Sequence, residues 1–211
     1  MKRKIYNEML LWKQNAQGKS ALMIDGARRI GKSYIVEEFA KNEYKSYILV
    51  DFNNADDNLI EIFNKYLGNL DVFFSYLALY YNVTLYHRDT LIVFDEVQLY
   101  PKARAAIKYL VKDGRYDYIE TGSLVSINRN VKDIVIPSEE HRINMFPMDF
   151  EEFLWAVGDE QLMPFMRMCF EKKQKLGPLH RKAMSHFRHY MIVGGMPQAV
   201  AEYVETNDFM K

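Results

Sequence analysis

The residues best suited to do chemistry in this chain form a short glycine-containing loop near its N-terminus. Four of them have the spacing G-x-x-x-x-G-K-S: Gly26, Gly31, Lys32 and Ser33. The glycines allow a tight turn in which successive backbone N–H groups point at phosphate oxygens. The lysine adds a point charge for the β- and γ-phosphates, and the serine hydroxyl adds a ligand for Mg²⁺. The spacing therefore predicts a phosphate-binding loop.

Such a loop lies between a strand and a helix, and the flanking sequence predicts both. Residues 21–24 are apolar, and the positive end of a following helix would face the bound anion. The apolar residues of that helix share one face: Ile35, Val36, Phe39 and Ala40. We expect the nucleotide to contact the loop and two later polar residues: Gly26, Ala27, Arg28, Arg29, Ile30, Gly31, Lys32, Ser33, Tyr34, Thr121 and Ser123.

A pair of carboxylates follows a second apolar stretch at residues 90–94. We expect Asp95 to hold Mg²⁺ and Glu96 to activate an attacking water. The alternative is that both residues only begin a solvated loop, but the upstream phosphate loop makes the catalytic interpretation the better one. An adjacent glutamate also favours hydrolysis over phosphoryl transfer to a small molecule, since only hydrolysis requires an activated water.

Other polar residues are candidates for contact with the γ-phosphate. Thr121 or Ser123 could touch it or its water, whereas the alternative is an ordinary polar turn at Gly122. The candidate arginines for stabilising transition-state charge are Arg28, Arg29, Arg129 and Arg142. Each of these arginines could equally be a solvated surface residue.

Apolar stretches that alternate with helical patterns predict a mostly parallel sheet of about five strands wrapped by helices. The predicted strands are residues 20–25, 47–51, 90–94, 116–120 and 142–146. From Asp149 onward the pattern is helical, and Asp149 with Glu152 predicts a capping box. We therefore predict an α/β core over residues 1–155 and a helical region over residues 156–211.

Composition excludes several classes of protein. The 28 basic and 28 acidic residues balance, so the chain as a whole has no electrostatic preference for nucleic acid or membrane. Cys169 is the single cysteine, which excludes an intrachain disulfide. The N-terminus lacks the apolar segment of a signal peptide. The longest uncharged stretch, residues 72–86, is shorter than the ~18 residues that a membrane-spanning helix needs. We expect a soluble, cytoplasmic protein.

Taken together, these segments resemble the bacterial and archaeal ATPases of the AAA_14 type, which often carry a C-terminal DUF4143 domain. The matching segments are residues 2–13, 25–33, 95–98, 121–123, 142–154 and 193–197. The most family-specific parts are residues 147–154 and the Gly-Gly-Met-Pro turn that ends at Pro197. One departure is Arg29, where members often have glutamine.

The resemblance implies an AAA-like P-loop core with an inserted central strand, and ATP and Mg²⁺ as ligands. A helical or winged-helix region follows such a core, so we expect residues 156–211 to begin a second domain that is truncated in this chain. The implied activity is ATP hydrolysis, with Lys32 and Glu96 as catalytic residues and Ser33 and Asp95 on Mg²⁺. The rival hypothesis is a nucleotide-dependent switch or scaffold that binds ATP, hydrolyses little of it and regulates a C-terminal or partner domain.

The helical region contains a basic stretch at residues 167–190. Its basic residues are Arg167, Lys172, Lys173, Lys175, Arg181, Lys182 and Arg188. They could bind nucleic acid, but a solvated face or a docking surface explains them equally well, so nucleic acid is not the favoured partner. The histidines at 180, 186 and 189 lack the companions of a zinc site. A homo-oligomer is the remaining partner hypothesis.

Overall fold

The computed structural model of this protein describes residues 1–123 and 140–209. Its strands are β1 (Ala21–Gly26), β2 (Ser46–Asp51), β3 (Thr90–Asp95), β4 (Asp117–Ser123) and β5 (Glu140–Met145). They form one sheet in the order β2-β3-β4-β1-β5, and every neighbouring pair is parallel. The α/β class and the parallel sheet that the sequence predicts are confirmed.

The helices divide along the chain at β5. Before it lie α1 (Ile5–Ala16), α2 (Lys32–Glu43), α3 (Asp57–Tyr66), α4 (Leu70–Tyr81) and α5 (Pro101–Asp113). After it lie α6 (Phe150–Ala156), α7 (Leu162–Glu171), α8 (His180–Val193) and α9 (Pro197–Thr206). Short 3₁₀ turns cover Val97–Leu99 and Gly177–Leu179. Side-chain hydrogen bonds to the backbone determine where several of these helices begin. The Asp56 and Asn69 side chains, for example, cap α3 and α4 by accepting from backbone N–H groups.

Strand β4 lies between β1 and β3, which places an inserted strand between the loop strand and the carboxylate strand. It is longer than the predicted residues 116–120, because Gly122 pairs with Asp25 and Ser123 pairs with Gly26. Gly122 therefore continues the strand and makes no turn. The extension brings Thr121 and Ser123 to the carboxyl edge of the sheet while both stay in regular backbone pairing.

The core explains why β1 and β3 are mostly apolar. Strands β1, β3 and β4 are buried at every position, as expected for parallel strands that are covered on both faces. Aromatic side chains from α3 and α4 pack on one face; Phe63, for instance, makes edge-to-face contacts with Phe73 and Phe94. These two helices therefore help to cover one face of the sheet.

By compactness the chain separates into two units. The sheet unit comprises Ile5–Arg28 and Lys32–Met145, and the helical unit comprises Met1–Lys4, Arg29–Gly31 and Phe146–Lys211. The helical unit thus includes three residues of the predicted phosphate loop as well as the N-terminal four residues. The domain boundary near residue 155 stays a prediction from the sequence.

A charged cluster is buried inside the sheet unit. Arg104 of α5 is fully buried, with its guanidinium 2.9 Å from a Glu140 oxygen and 3.6 Å from a Glu120 oxygen. Burial raises the pKa of Glu120 well above its ordinary value, and the nearby Glu140 carboxyl raises it further, while Arg104 opposes the rise. One buried arginine therefore lies between two carboxyl groups, and burial favours the protonated form of Glu120.

We expect Glu120→Gln to be tolerated, and its effect on stability to depend on pH. Because the folded protein binds this proton more tightly than the unfolded chain, the contribution of Glu120 is fully present below its ordinary pKa of 4.5 and decreases as pH rises toward the raised pKa. The glutamine side chain does not titrate, so the variant has no such pH-dependent loss of stability. Urea unfolding should therefore show that the free energy of unfolding of the variant, relative to that of the wild type, is higher at pH 8 than at pH 5.

An equal effect of Glu120→Gln at both pH values would contradict this prediction. The companion variant is Arg104→Met, which leaves the buried Glu120 without its cation and leaves Glu140 paired with Arg142 alone among the described residues. Removing one partner of a buried ion pair costs about 3–5 kcal/mol, so the free energy of unfolding should fall by an amount of that order.

Candidate active site

The predicted phosphate loop connects β1 to α2, with Gly26 as the last strand residue and Lys32 as the first helical residue. Gly31 has φ +89°, a backbone conformation that side chains strongly disfavour, so this position requires glycine. Arg29 is also left-handed, with φ 65°. The loop is therefore a sharply turned segment at the start of a helix, where backbone N–H groups are free for an anion.

Lys32 lies inside this loop. Its side chain is buried, and the Nζ atom donates to the carbonyl oxygens of Gly26 at 3.1 Å and Ala27 at 2.7 Å. Burial lowers the pKa of Lys32, while the carboxylates of Glu96 and Asp95 oppose that shift. The ammonium group thus lies within electrostatic reach of both carboxylates at the end of β3.

The inserted strand joins those two carboxylate residues. The Thr121 hydroxyl of β4 donates to Oδ1 of Asp95, and it accepts from the backbone N–H of Glu96 at 3.3 Å. Asp95 is buried, and Glu96 follows with a left-handed backbone, φ 54°. A non-glycine residue in that conformation bears some backbone strain, and strained residues are enriched at functional sites.

Gln98 is a site residue to which sequence reasoning assigned no role. It is buried in the 3₁₀ turn that follows Glu96, and its side-chain amide donates to Oε2 of Glu96. The segment that contains Gln98 is part of the family resemblance, which was the only available signal. The amide restrains the glutamate that we expect to activate water.

The other predicted site residues occupy different environments. Ser33 is partly buried at the start of α2, Tyr34 is exposed, and Ser123 is buried at the end of β4. Arg28 and Arg29 are exposed. Arg142 of β5 is already paired, with Nε 3.2 Å from Asp25 and Nη2 3.3 Å from Glu140. Arg129 lies outside the described residues. The arrangement brings together the loop, Asp95, Glu96 and Thr121.

The donor set suits a nucleotide-bound Mg²⁺ better than a metal held by protein alone. The Ser33 hydroxyl and the Asp95 carboxylate offer hard oxygen ligands. Within residues 1–123 and 140–209, no group of three or more His, Cys, Asp or Glu side chains could hold a metal ion. Since Mg²⁺ in nucleotide sites is commonly held by one or two side chains together with phosphates and water, the residues present fit that group.

Two residues of the basic stretch, Arg167 and Lys182, form ion pairs with acidic side chains. Arg167 contacts Glu151 at 2.6 Å, and Lys182 contacts Asp159 at 2.6 Å. The remaining basic residues of the stretch are exposed: Lys172, Lys173, Lys175, Arg181 and Arg188. No helix in the described part of the chain combines the length and apolar character that crossing a membrane requires.

The sheet is parallel, a phosphate-type loop follows β1, and β4 lies in the sheet between β1 and the carboxylate strand β3. These features define the class of AAA-like P-loop nucleoside triphosphatases. The family model AAA_14, described as an AAA domain, matches residues 18–154. The chain therefore belongs to the AAA_14 family.

Solved structures share this fold at low sequence identity. The Walker-type ATPase PABY2304 of Pyrococcus abyssi is 15% identical with a TM-score of 0.54; the match covers 99% of this chain and 69% of that one. The Orc1 protein of Aeropyrum pernix, solved in complex with DNA, is 10% identical with a TM-score of 0.50, over 100% of this chain and 62% of that one. A search of curated proteins finds no match. These likenesses concern the fold.

Proposed function

We propose that this protein binds ATP with Mg²⁺ and hydrolyses it. One observation carries the proposal: the buried Lys32 ammonium lies in the field of Asp95 and Glu96 while it is enclosed by the loop carbonyls. A lysine at the start of a helix supplies a cation for phosphates, and two carboxylates whose charge it senses supply anions for a metal and a water. Membership of the AAA_14 family supports the same conclusion.

Each residue has a distinct part in the proposed reaction. The loop N–H groups and Lys32 bind the β- and γ-phosphates, and Ser33 and Asp95 hold Mg²⁺, which when bound neutralises charge on the phosphate oxygens. Glu96 accepts a proton from the attacking water. Thr121, whose hydroxyl bonds Asp95 and the Glu96 backbone, keeps the two carboxylates in register.

A nucleotide-dependent switch with little turnover is the second candidate function, and the environment of Arg142 favours it. This arginine is occupied by Asp25 and Glu140, whereas Arg28 and Arg29 are exposed, so none of these three is held toward a phosphate. In that function, bound ATP would regulate a C-terminal domain, a partner protein or a second copy of the chain. The exposed basic residues of the helical unit make nucleic acid an alternative partner.

Glu96→Gln tests the hydrolytic role. The amide cannot accept a proton from water, so we expect turnover to fall by roughly 10²-fold or more with ATP affinity unchanged. The substitution keeps the size of the side chain. The measurements are single-turnover phosphate release and calorimetric titration with ATP·Mg²⁺.

The control for this experiment is Glu61→Gln on α3, where the carboxylate is exposed and pairs with Lys65. It should hydrolyse ATP at the wild-type rate. A Glu96→Gln protein with wild-type turnover would assign water activation to another residue.

A further inference from the structure

Three segments that carry the family resemblance have no part in the proposed reaction, and all three lie in the helical unit. They are the N-terminal residues around Arg3, the capping box that contains Glu152, and the turn that ends at Pro197. The same unit includes residues 29–31 of the phosphate loop. The three segments therefore belong to the same compact unit as part of the loop.

Arg3 connects the N-terminal residues to the capping box and to the phosphate loop. Its side chain is 6% exposed, and its guanidinium makes three hydrogen bonds: from Nε to Glu152 at 3.1 Å, from Nη1 to the Ile30 carbonyl at 2.9 Å, and from Nη2 to the Phe146 carbonyl at 2.6 Å. A buried guanidinium that is used in three directions has a fixed orientation. Arg3 thus holds one peptide unit of the phosphate loop.

Glu152 is in turn fixed from several sides. Its Oε1 accepts from Arg3 and from the Lys4 backbone N–H at 2.7 Å, and its Oε2 accepts from the Asp149 backbone N–H at 3.2 Å. The capping box therefore has a second role besides stabilising the start of α6. It provides a rigid anion for the arginine, and charge-assisted hydrogen bonds of this type are among the stronger ones in proteins.

The loop peptide that Arg3 holds is the one that presents Gly31. A trans peptide is planar, with its C=O and N–H pointing in opposite directions, so a bond that fixes the Ile30 carbonyl also fixes the Gly31 N–H. The Ile30 side chain is fully buried, which prevents this segment from shifting. The Gly31 N–H is one of the loop donors available to a phosphate oxygen.

We propose that Arg3 is a positioning residue for the phosphate loop: it binds the Ile30 carbonyl so that the Gly31 N–H points at the nucleotide phosphates, and Glu152 holds Arg3 in place. This inference rests on the proposed ATP binding. Within the helical unit it also connects residues 29–31 of the loop to the start of α6, because Arg3 bonds Glu152 of the capping box.

The test compares Arg3→Ala with Lys2→Ala by calorimetric titration with ATP·Mg²⁺, well below the unfolding temperature of each variant. Lys2 is the matched control, since it is exposed, and among the described residues its ammonium contacts Glu160 and the Trp155 ring but no residue of the loop. We expect Arg3→Ala to weaken ATP affinity by ~10-fold or more and Lys2→Ala to leave it unchanged. Arg3→Lys, with one cationic centre in place of a planar fork, should be intermediate.

A second readout separates positioning from a purely structural role. In the wild type, ATP·Mg²⁺ should slow hydrogen exchange of the α6 amides, and in Arg3→Ala this protection should be lost. A variant with a lower melting temperature but wild-type affinity and wild-type protection of α6 would overturn the inference.

Two further outcomes keep the conclusions apart. Wild-type protein that binds no ATP would refute the proposed function itself, whereas equal binding by wild type and Arg3→Ala refutes only the role of Arg3. If Arg3→Ala does not fold, Glu152→Gln replaces it, with the neighbouring Glu151→Gln as control, because Glu151 pairs with Lys4 and Arg167 instead. Equal ATP affinity in those two variants would also overturn the inference.

Discussion

Replacing Lys32 with alanine is expected to abolish measurable ATP·Mg²⁺ binding. The ammonium is the cation enclosed by the loop, and its bonds to the Gly26 and Ala27 carbonyls show that it can reach along the loop interior. In the proposed complex these bonds are exchanged for bonds to phosphate oxygens. The experiment is calorimetric titration of the variant with ATP·Mg²⁺.

The fold should survive this substitution. Because burial lowers the pKa of Lys32, the folded protein bears a cost for keeping this group charged, and alanine removes that cost. Far-UV circular dichroism and thermal unfolding verify the fold, and Lys41→Ala, which removes an exposed lysine of the same helix paired with Glu37, is the control. Wild-type affinity in a folded Lys32→Ala protein would refute the phosphate-loop assignment.

In dilute solution we expect the wild-type chain to bind ATP·Mg²⁺ but to release phosphate very slowly. The binding residues belong to one loop and one sheet edge, so they need no partner. Arg142 is neutralised by Asp25 and Glu140, and an absent arginine finger costs about 10³–10⁵ in rate, or ~4–7 kcal/mol of barrier. Phosphate release should therefore rise more than linearly with protein concentration if a second copy supplies the arginine.

The same assay distinguishes the possible donors of that arginine. A linear dependence on concentration, with stimulation on adding a partner or a longer form of the chain, would assign the arginine to that molecule. Fast turnover by a demonstrated monomer would refute the prediction and require an arginine within this chain. Sedimentation at each assay concentration gives the oligomeric state that the comparison needs.

Local patterns made much of the fold predictable. Strands β1, β2 and β3 contain short apolar stretches, and two glycines with Lys32 and Ser33 have a spacing that few other structures require. The predicted β4 is too short, because Gly122 is a poor strand former and its pairing with Asp25 of β1 is a tertiary effect. Sequence pattern therefore located the elements better than it located their ends.

The contacts around the candidate site were harder to predict because they join distant parts of the chain. Nothing local indicates that Arg3 bonds Ile30 and Glu152, since such a contact depends on how the helical unit folds. Arg104 gave a weak signal, as a charged residue on the apolar face of an amphipathic helix, but its carboxylate partners lie on separate strands. The roles assigned to Lys32, Ser33, Asp95 and Glu96 stay predictions.

The strand order also sets when this protein can fold as it leaves the ribosome. Strand β1 emerges first, yet its neighbours in the sheet are β4 and β5, and only β2 and β3 can pair in the meantime. Parallel pairing across so long a separation is slow, because the intervening chain must close a large loop before any contact forms. The phosphate loop is thus synthesised early but gains its supporting strands late. A nascent chain that ends before Ser123 has the nucleotide-binding sequence without the sheet that shapes it.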